Sequence, residues 1–292
     1  MTSASTAQLM DGSAVSRQIL ADTTERARDL TDKVGRRPCL AAVLVGKDPA
    51  SVTYVKMKQS RCHRTGIDSR LVQLPANAST TQVVDAVASL SADPTVDGIL
   101  VQHPVPHQVD ERAVFEAISP AKDVDGVTMH SFAAMGFGLP SLKSCTPGGI
   151  VRLLDAYQVE ITGRHAVVIG RSPILGKPVG MLLLARNATV TYCHSHTRRL
   201  PEMVAEGEIV VAAVGKPRFV QGEWLKPGAV IVDAGYNPGN IGDVDFDTAA
   251  QVASLITPVP GGVGPMTIAV LLEQTVQAAE TAAIGRAAGA RS

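Results

Sequence analysis

The sequence predicts an α/β protein of two lobes, and three observations carry that prediction. Short apolar blocks alternate with helical segments almost from end to end, the helical spacers impose parallel strand pairing, and 292 residues exceed one ordinary compact domain. The apolar fraction is 45% with aromatics at only 3%, so the core is made of Ala, Val, Leu and Ile in short runs, as buried parallel strands require.

Seven blocks have strand character: "CLAAVLVG" (39–46), "SRLVQLP" (69–75), "DGILVQH" (97–103), "HAVVIG" (165–170), "ATVTYC" (188–193), "EIVVAAVG" (208–215) and "GAVIVDAG" (228–235). Between them "ASVTYVKMKQSRCHRTG", "TTQVVDAVASLSAD" and "GKPVGMLLLARN" read as helices, the first two ending near Gly66 and Asp93-Pro94. From Asp123 to Pro147 the rhythm breaks into turns and a weak helix, which marks a domain junction. "TPGGIVRLLDAYQV" then opens a helix with Thr146 as N-cap and Pro147 at the first helical position. The last helix, about Pro265 to Ile284, is long enough to return to the N-terminal lobe and make that lobe discontinuous; the Ala/Gly/Arg tail beyond it is expected to fray. The expected division is therefore 1–145 completed by 266–292, with 146–265 as the second domain.

Lys plus Arg equals Asp plus Glu at 27 each, which removes the electrostatic case for nucleic acid or an anionic membrane as partner. No apolar run approaches the ~20 residues of a membrane span, and the N-terminal "MTSASTAQLMDGSAVS" lacks a basic start and an apolar stretch, so a cytoplasmic protein is expected. Four scattered cysteines without a CxxC pair read as reduced thiols. The "HSH" at 194–196 has no acid or thiol at a zinc spacing, so no metal site is expected.

"HAVVIGRSPILGKPVGMLLL" combines a buried strand, a turn and a helix, the geometry that holds a pyrophosphate at a helix N-terminus. It lacks GxGxxG, since Gly170 and Gly176 are separated by five residues, and a plain strand-to-helix connection remains the alternative. The following strand ends in "TVTYCHSHTRR", where an NAD-binding fold carries an acid for the ribose 2′-OH. Here Ser195 stands among His194, His196, Arg198 and Arg199, with Arg171 at the end of the preceding strand. Donors and positive charge suit a 2′-phosphate, which favours NADP over NAD; solvated loop arginines are the other reading of Arg198 and Arg199.

In the first lobe, Tyr54 and Lys58 are four residues apart on one helix face, with Ser51 a turn earlier. Gln102 falls near the C-terminal end of a parallel strand, where open α/β sheets form binding crevices. Asp123 and Asp125 share the turn "KDVDG". Spacing alone also fits a solvated helix lysine and two turn-capping aspartates. "ITPVPGGVGPMT" (256–267) carries three prolines, three glycines and no charge, so it reads as a fixed strap, with one X-Pro bond expected to be cis.

The segments "YVKMK", "DGILVQHPVP", "PAKDVDG", "CTPGGI", "VVIGRSPILGKP", "ATVTYCHS", "AAVGKP", "GEWLKPGAVIVDAG" and "ITPVPGGVGPMT" together resemble the methylenetetrahydrofolate dehydrogenase/cyclohydrolase (FolD) family, in order and over nearly the whole chain. The resemblance implies an N-terminal catalytic lobe completed by the last helix, a Rossmann-like NADP-binding lobe, a cleft between them, and a homodimer. It implies NADP-dependent oxidation of 5,10-methylenetetrahydrofolate and hydrolysis of the methenyl product to 10-formyltetrahydrofolate. Tyr54 would stack on the folate rings, and Asp125, supported by Asp123, would accept the pterin amide N–H and 2-amino group. Lys58 would carry the proton of the hydrolytic step with Gln102 hydrogen-bonded to it. Pro260, Gly261 and Gly262 would bring backbone close to folate and nicotinamide. Gly170, Arg171, Ser172 and Gly176 match the family's phosphate turn with Leu175 for its valine; Ser195 would join Arg171 at the 2′-phosphate, and Val214, Gly215 and Tyr236 complete the cofactor side.

The chain departs from the family at His103 and Val105 ("VQHPVP" for "VQLPLP"), at Ser144 before Cys-Thr-Pro, at Tyr236 in "DAGYN", and in lacking an asparagine after "DVDG". Lineage drift explains these changes. A paralogue with weakened cyclohydrolase activity or a modified folate is the alternative, with a non-catalytic NADP-binding regulator and a dehydrogenase of an unrelated small substrate as further readings. Retention of Tyr54, Lys58 and Gln102 argues against the regulator, and Asp125 against the unrelated substrate.

Overall fold

The structure is a computed structural model that describes residues 7–289. In chain order its elements are β1 (Gln8–Leu9), α1 (Gly12–Val34), β2 (Cys39–Val45), α2 (Pro49–Arg64), β3 (Asp68–Leu74), α3 (Thr80–Ala92), β4 (Gly98–Val101), α4 (Glu111–Glu116), a 3-10 turn (Pro120–Lys122) and α5 (Met129–Phe137). There follow α6 (Cys145–Ala156), β5 (His165–Ile169), α7 (Gly176–Leu184), β6 (Thr189–Cys193), α8 (Leu200–Ala205), β7 (Ile209–Ala212), a 3-10 turn (Gly222–Trp224), β8 (Val230–Asp233), α9 (Phe246–Ala249), β9 (Leu255–Ile256) and α10 (Val263–Gly289). Two compact units result. One takes the described residues up to Arg17, Met135–Leu139 and Ser144–Thr267; the other takes Gln18–Ala134, Pro140–Lys143 and the chain from Ile268. Among the described residues no helix is long and apolar enough to cross a membrane.

The first unit is built on a six-stranded parallel sheet in the order β1-β9-β8-β7-β5-β6. β5 leads to β6 on one side and the chain then crosses back to β7 on the other, so the strand order reverses between β5 and β7. Open α/β sheets bind ligands at the C-terminal ends of such strands. Ile169 pairs with Ala212, so β5 and β7 end level and deliver Gly170 and Ala213 side by side. The strand interiors, Val167, Ile169, Val210, Ala212, Ile231 and Ile256, are buried together, which is why these stretches are uninterrupted apolar runs.

The second unit carries a three-stranded parallel sheet in the order β3-β2-β4. Central β2 is buried along Leu40–Val45, whereas edge β3 mixes exposed and half-buried positions, matching its polar composition. Here too the order reverses, between β2 and β4. α2 starts where Asp48 accepts a hydrogen bond from Ser51 N (2.8 Å) with Pro49 in the first turn, and α3 starts with a reciprocal capping box between Ser79 and Gln82. From Ile268 onward α10 belongs to this unit. Gln274 ties it in: its Nε2 donates to Val124 O and Lys143 O (2.8 Å each), and its Oε1 accepts from Lys143 N (2.7 Å). Arg26 of α1 adds a two-pronged pair with Glu280 (2.6 and 3.1 Å).

The structure departs from the sequence reading at four places. β1 and β9 are extra strands of two residues each, too short for any periodicity to show. Their pairing (Gln8 with Leu255, Leu9 with Ile256) puts the chain's first described residues in the six-stranded sheet, and the compact unit built on that sheet takes the described residues up to Arg17. Ser144, not Thr146, precedes the first turn of α6, and neither hydroxyl caps it: Ser144 Oγ donates to Ile174 O (3.2 Å), while Thr146 Oγ1 pairs with Thr267 Oγ1 (2.9 Å). The helix can begin ahead of Pro147 because a first-turn N–H has no intrahelical acceptor to lose. The segment after Asp123 holds a nine-residue helix, and α10 runs from Val263 to Gly289; the remainder of the tail expected to fray, 290–292, lies outside the described residues.

Candidate active and cofactor sites

In the three-stranded unit α2 and the end of β4 bring together three of the residues singled out in the sequence. Lys58 Nζ lies 4.3 Å from the centroid of the Tyr54 ring and donates to Gln102 Oε1 at 3.2 Å. Lys58 is 7% exposed and Gln102 9%. The Gln102 amide is oriented by its other end, since Nε2 donates to His103 O at 2.9 Å and leaves the oxygen as the end facing the lysine. Gln102 N in turn donates to Val43 O, locking the residue to central β2 at the reversal point of the sheet. The amide oxygen and the π face are both partners suited to an ammonium. One turn on, burial pushes the Cys62 thiol up to about 12, so it takes no part in proton transfer near neutrality.

Asp123 and Asp125 separate into two roles. Asp123 is fully buried and its oxygens accept from Val127 N, Thr128 N, Thr128 Oγ1 and Ser131 Oγ at 2.6–3.0 Å, so it shapes the loop rather than facing a ligand. Asp125 is half-buried, and its carboxylate makes no hydrogen bond or ion pair among the described residues. The loop is seated by Val124 against Gly98, whose Cβ would collide with both Val124 methyls.

In the six-stranded unit the turn after β5 is built around missing side chains. A Cβ on Gly170 (φ 133°) would strike Ala213 O, and one on Gly176 would strike the Gly170 carbonyl. Ser172 Oγ accepts from Leu175 N (3.1 Å) and Gly176 N (3.4 Å), closing the turn in front of α7. Arg171 and Ser195 are exposed at the ends of β5 and β6, and neither side chain makes a hydrogen bond or ion pair among the described residues. The turn carrying Ser195 is tied at its base, with Thr197 N on His194 O and His194 N on Thr197 Oγ1, both 2.8 Å. Arg199 is spoken for by Glu202 at 3.1 Å.

Two family models match this chain: the tetrahydrofolate dehydrogenase/cyclohydrolase catalytic domain over residues 10–125, and the NAD(P)-binding domain of the same enzymes over residues 144–283. The chain belongs to the tetrahydrofolate dehydrogenase/cyclohydrolase family. It is 64% identical to bifunctional protein FolD 1 of Streptomyces avermitilis, covering 96% of this chain and 97% of that one. The solved FolD of Campylobacter jejuni superposes with a TM-score of 0.92 at 40% identity, covering 94% and 99% of the two chains. The FolD of Trypanosoma brucei, solved with NADP cofactor and an inhibitor, gives 0.91 at 36% identity, covering 94% and 98%. The enzyme is thus a bifunctional methylenetetrahydrofolate dehydrogenase and methenyltetrahydrofolate cyclohydrolase of one-carbon metabolism.

The remaining predicted positions of this FolD chain fall on three loops at the C-terminal ends of β7, β8 and β9. Val214 and Gly215 follow β7, but their N–H groups are already taken by Asp243, so they offer a ligand carbonyls and Cα faces only. Tyr236, after β8, is 73% exposed and donates its hydroxyl to Asn240 Oδ1 at 2.7 Å. In the strap after β9, Val259–Pro260 is cis, as is His103–Pro104 in the other unit. Gly261 O accepts from Ser13 N (3.0 Å), and Gly12 packs so tightly on Gly262 O that a Cβ there would clash, so the strap is held by the start of α1. The His103 ring packs edge-on to buried Phe115 at 6.1 Å, which absorbs that departure from the family without disturbing the carbonyl that orients Gln102.

Sequence reasoning missed Asp233, Asp243 and Gln274. The two aspartates stand in "VDAG" and "GDVD", where an acid near a glycine reads as an ordinary turn; Gln274 has no signal beyond being polar in an apolar helix.

Proposed function

We propose that Lys58 is the proton carrier of the cyclohydrolase step and that Tyr54 and Gln102 hold it for that task. The observation that carries this reading is the buried contact of Lys58 Nζ with both Gln102 Oε1 and the Tyr54 ring. Hydrolysis of the methenyl cation needs one proton removed from water and another delivered to a ring nitrogen, and one buried amine that passes a proton from the first to the second can serve both. Gln102 has a fixed amide and cannot titrate, so it orients rather than transfers. Asp125 accepts the pterin amide N–H and 2-amino group, with Asp123 holding its loop, and the Tyr54 ring stacks on the folate.

NADP is the cofactor of the dehydrogenase step, and when bound it accepts the hydride of the methylene bridge. This chain's part is placement, which hydride transfer demands more than acid–base help. The residues fit the dinucleotide: the turn from Gly170 to Gly176, with no side chain at either end, leads into the N-terminus of α7 where a pyrophosphate can be held, and Arg171 with Ser195 supplies charge and a donor for a 2′-phosphate. Folate chemistry is assigned to the three-stranded unit with α10 from Ile268, and cofactor binding to the six-stranded unit. Pro260, Gly261 and Gly262 contribute strap backbone to the substrate. A cytoplasmic homodimer is the expected working form, and light scattering of the purified protein checks the assembly.

The test of the reading is Lys58→Gln. Hydrolysis of methenyltetrahydrofolate, followed by its absorbance, should fall at least a hundredfold while NADP binding measured by calorimetry is unchanged. An unaltered hydrolysis rate rejects Lys58 as the proton carrier.

A further inference from the structure

We propose that Asp243 is a positioning residue for the dehydrogenase reaction, fixing the loop Val214–Lys216 against which the nicotinamide half of the cofactor rests. Three successive backbone N–H groups converge on its carboxylate: Val214 N (2.6 Å) and Gly215 N (2.8 Å) on Oδ2, and Lys216 N (2.9 Å) on Oδ1. Asn237 Nδ2 fills the remaining site on Oδ1 at 3.0 Å. Consecutive N–H groups of this kind form an anion-binding concavity, and here the chain fills it with its own fully buried side chain. The loop's donors therefore point inward, and the surface it turns toward a ligand is carbonyl oxygen and Cα, in a conformation that needs Gly215 at φ 64°.

A second carboxylate stands behind the first. Asp233 Oδ1 accepts from Asp243 N and Gly235 N, and its Oδ2 from Val244 N, all at 2.9 Å; Asp233 N donates to Thr257 Oγ1 at 2.7 Å. The loops after β7 and β8 are thereby joined through two buried acids, and the Asp233 backbone ties in Thr257 after β9. The space is made for them: a Cβ on Gly235 would strike the Asp243 carboxylate, and one on Gly242 would strike Asp233 Oδ2. Burying two acids this close is unfavourable, and burial pushes the Asp233 carboxyl up to about 6. A turn held only by backbone bonds and apolar contacts would avoid that cost, so what the acids supply is fixed loop geometry. Hydride transfer is sensitive to such geometry, since a misplacement of ~1 Å costs about a hundredfold in rate.

The inference rests on the placement of NADP at the ends of β5 and β7 given above, and the bifunctional enzyme offers an internal control. Asp243→Asn keeps the shape but turns an acceptor into a donor facing N–H groups. The dehydrogenase kcat/KM for NADP should fall about ten- to hundredfold, while hydrolysis of methenyltetrahydrofolate without NADP stays within about twofold. Parallel loss of both activities, or an unchanged dehydrogenase, overturns the proposal. Should Asp243→Asn fail to fold, Asn237→Ala removes one donor and leaves the acid; a smaller loss confined to the dehydrogenase supports the proposal, and equal losses sink it. Arg171→Ala is run alongside. If it weakens NADP binding while Asp243→Asn leaves the dehydrogenase unchanged, the positioning role alone is wrong; if Arg171→Ala does not move NADP binding and Asp243→Asn leaves the dehydrogenase unchanged, the cofactor placement falls with it.

Discussion

At the scale of single residues, the two halves of the chemistry ask for different things. Lys58, proposed to carry a proton, is buried against an amide oxygen and a ring; Arg171, proposed only to present charge, is exposed. Removing that charge should act on cofactor choice. Arg171→Ala is expected to lower the ratio of kcat/KM for NADP to that for NAD by about tenfold or more, read from initial rates with each nucleotide. An unchanged ratio would take Arg171 away from the 2′-phosphate. The Tyr54/Lys58 pairing was legible from spacing because i and i+4 share a helix face wherever the helix goes. The split between Asp123 and Asp125 was not, since two acids in one turn differ only in which backbone donors the folded loop turns toward them.

Among elements, the loops at the ends of β7 and β8 depend on the acid pair, and this carries a pH dependence whose sign follows from Asp233. Its carboxyl is raised to about 6 by burial, with backbone hydrogen bonds opposing and the Asp243 charge adding. The native state therefore binds this proton more tightly than the unfolded chain. The stabilisation is fully present below the ordinary carboxylate range and is lost as pH rises through about 6, a change on the order of 3 kcal/mol. Urea denaturation of wild type and Asp233→Asn between pH 4.5 and 7.5 checks it. The difference in stability between the two should shrink as pH rises, and a constant difference would contradict the raised carboxyl. The buried strands were read correctly in the sequence because parallel central strands are continuous apolar runs, whereas β1 and β9 depend on pairing with distant segments and leave no local pattern.

For the molecule as a whole, the chain's last helix is part of the unit that the first half of the sequence began, and Gln274 is the side chain that fastens it. It bonds to Val124 beside Asp125 and to both backbone groups of Lys143, so Gln274→Ala removes three hydrogen bonds that fasten the helix. A loss of about 2 kcal/mol in unfolding free energy is expected, together with a raised KM for the folate, because Val124 carries the loop of Asp125. Denaturation and steady-state kinetics on one preparation measure both, and a stable variant with an unchanged KM would show that the clasp is dispensable.

The sequence by itself determined the α/β class, the order of the buried strands along the chain, the strand-turn-helix around Gly170 and Gly176, and the placing of Tyr54 and Lys58 on one helix face. Each of these is written in local spacing or in a run of residue types that survives any tertiary arrangement. Only the tertiary structure decided that Gln8 and Leu9 join the six-stranded sheet, that Asp123 is spent on its own loop, and that Asp233 and Asp243 bind the loops at its C-terminal edge. The reason is that a carboxylate or a two-residue strand takes its role from the donors brought to it, and those come from segments far away in the chain.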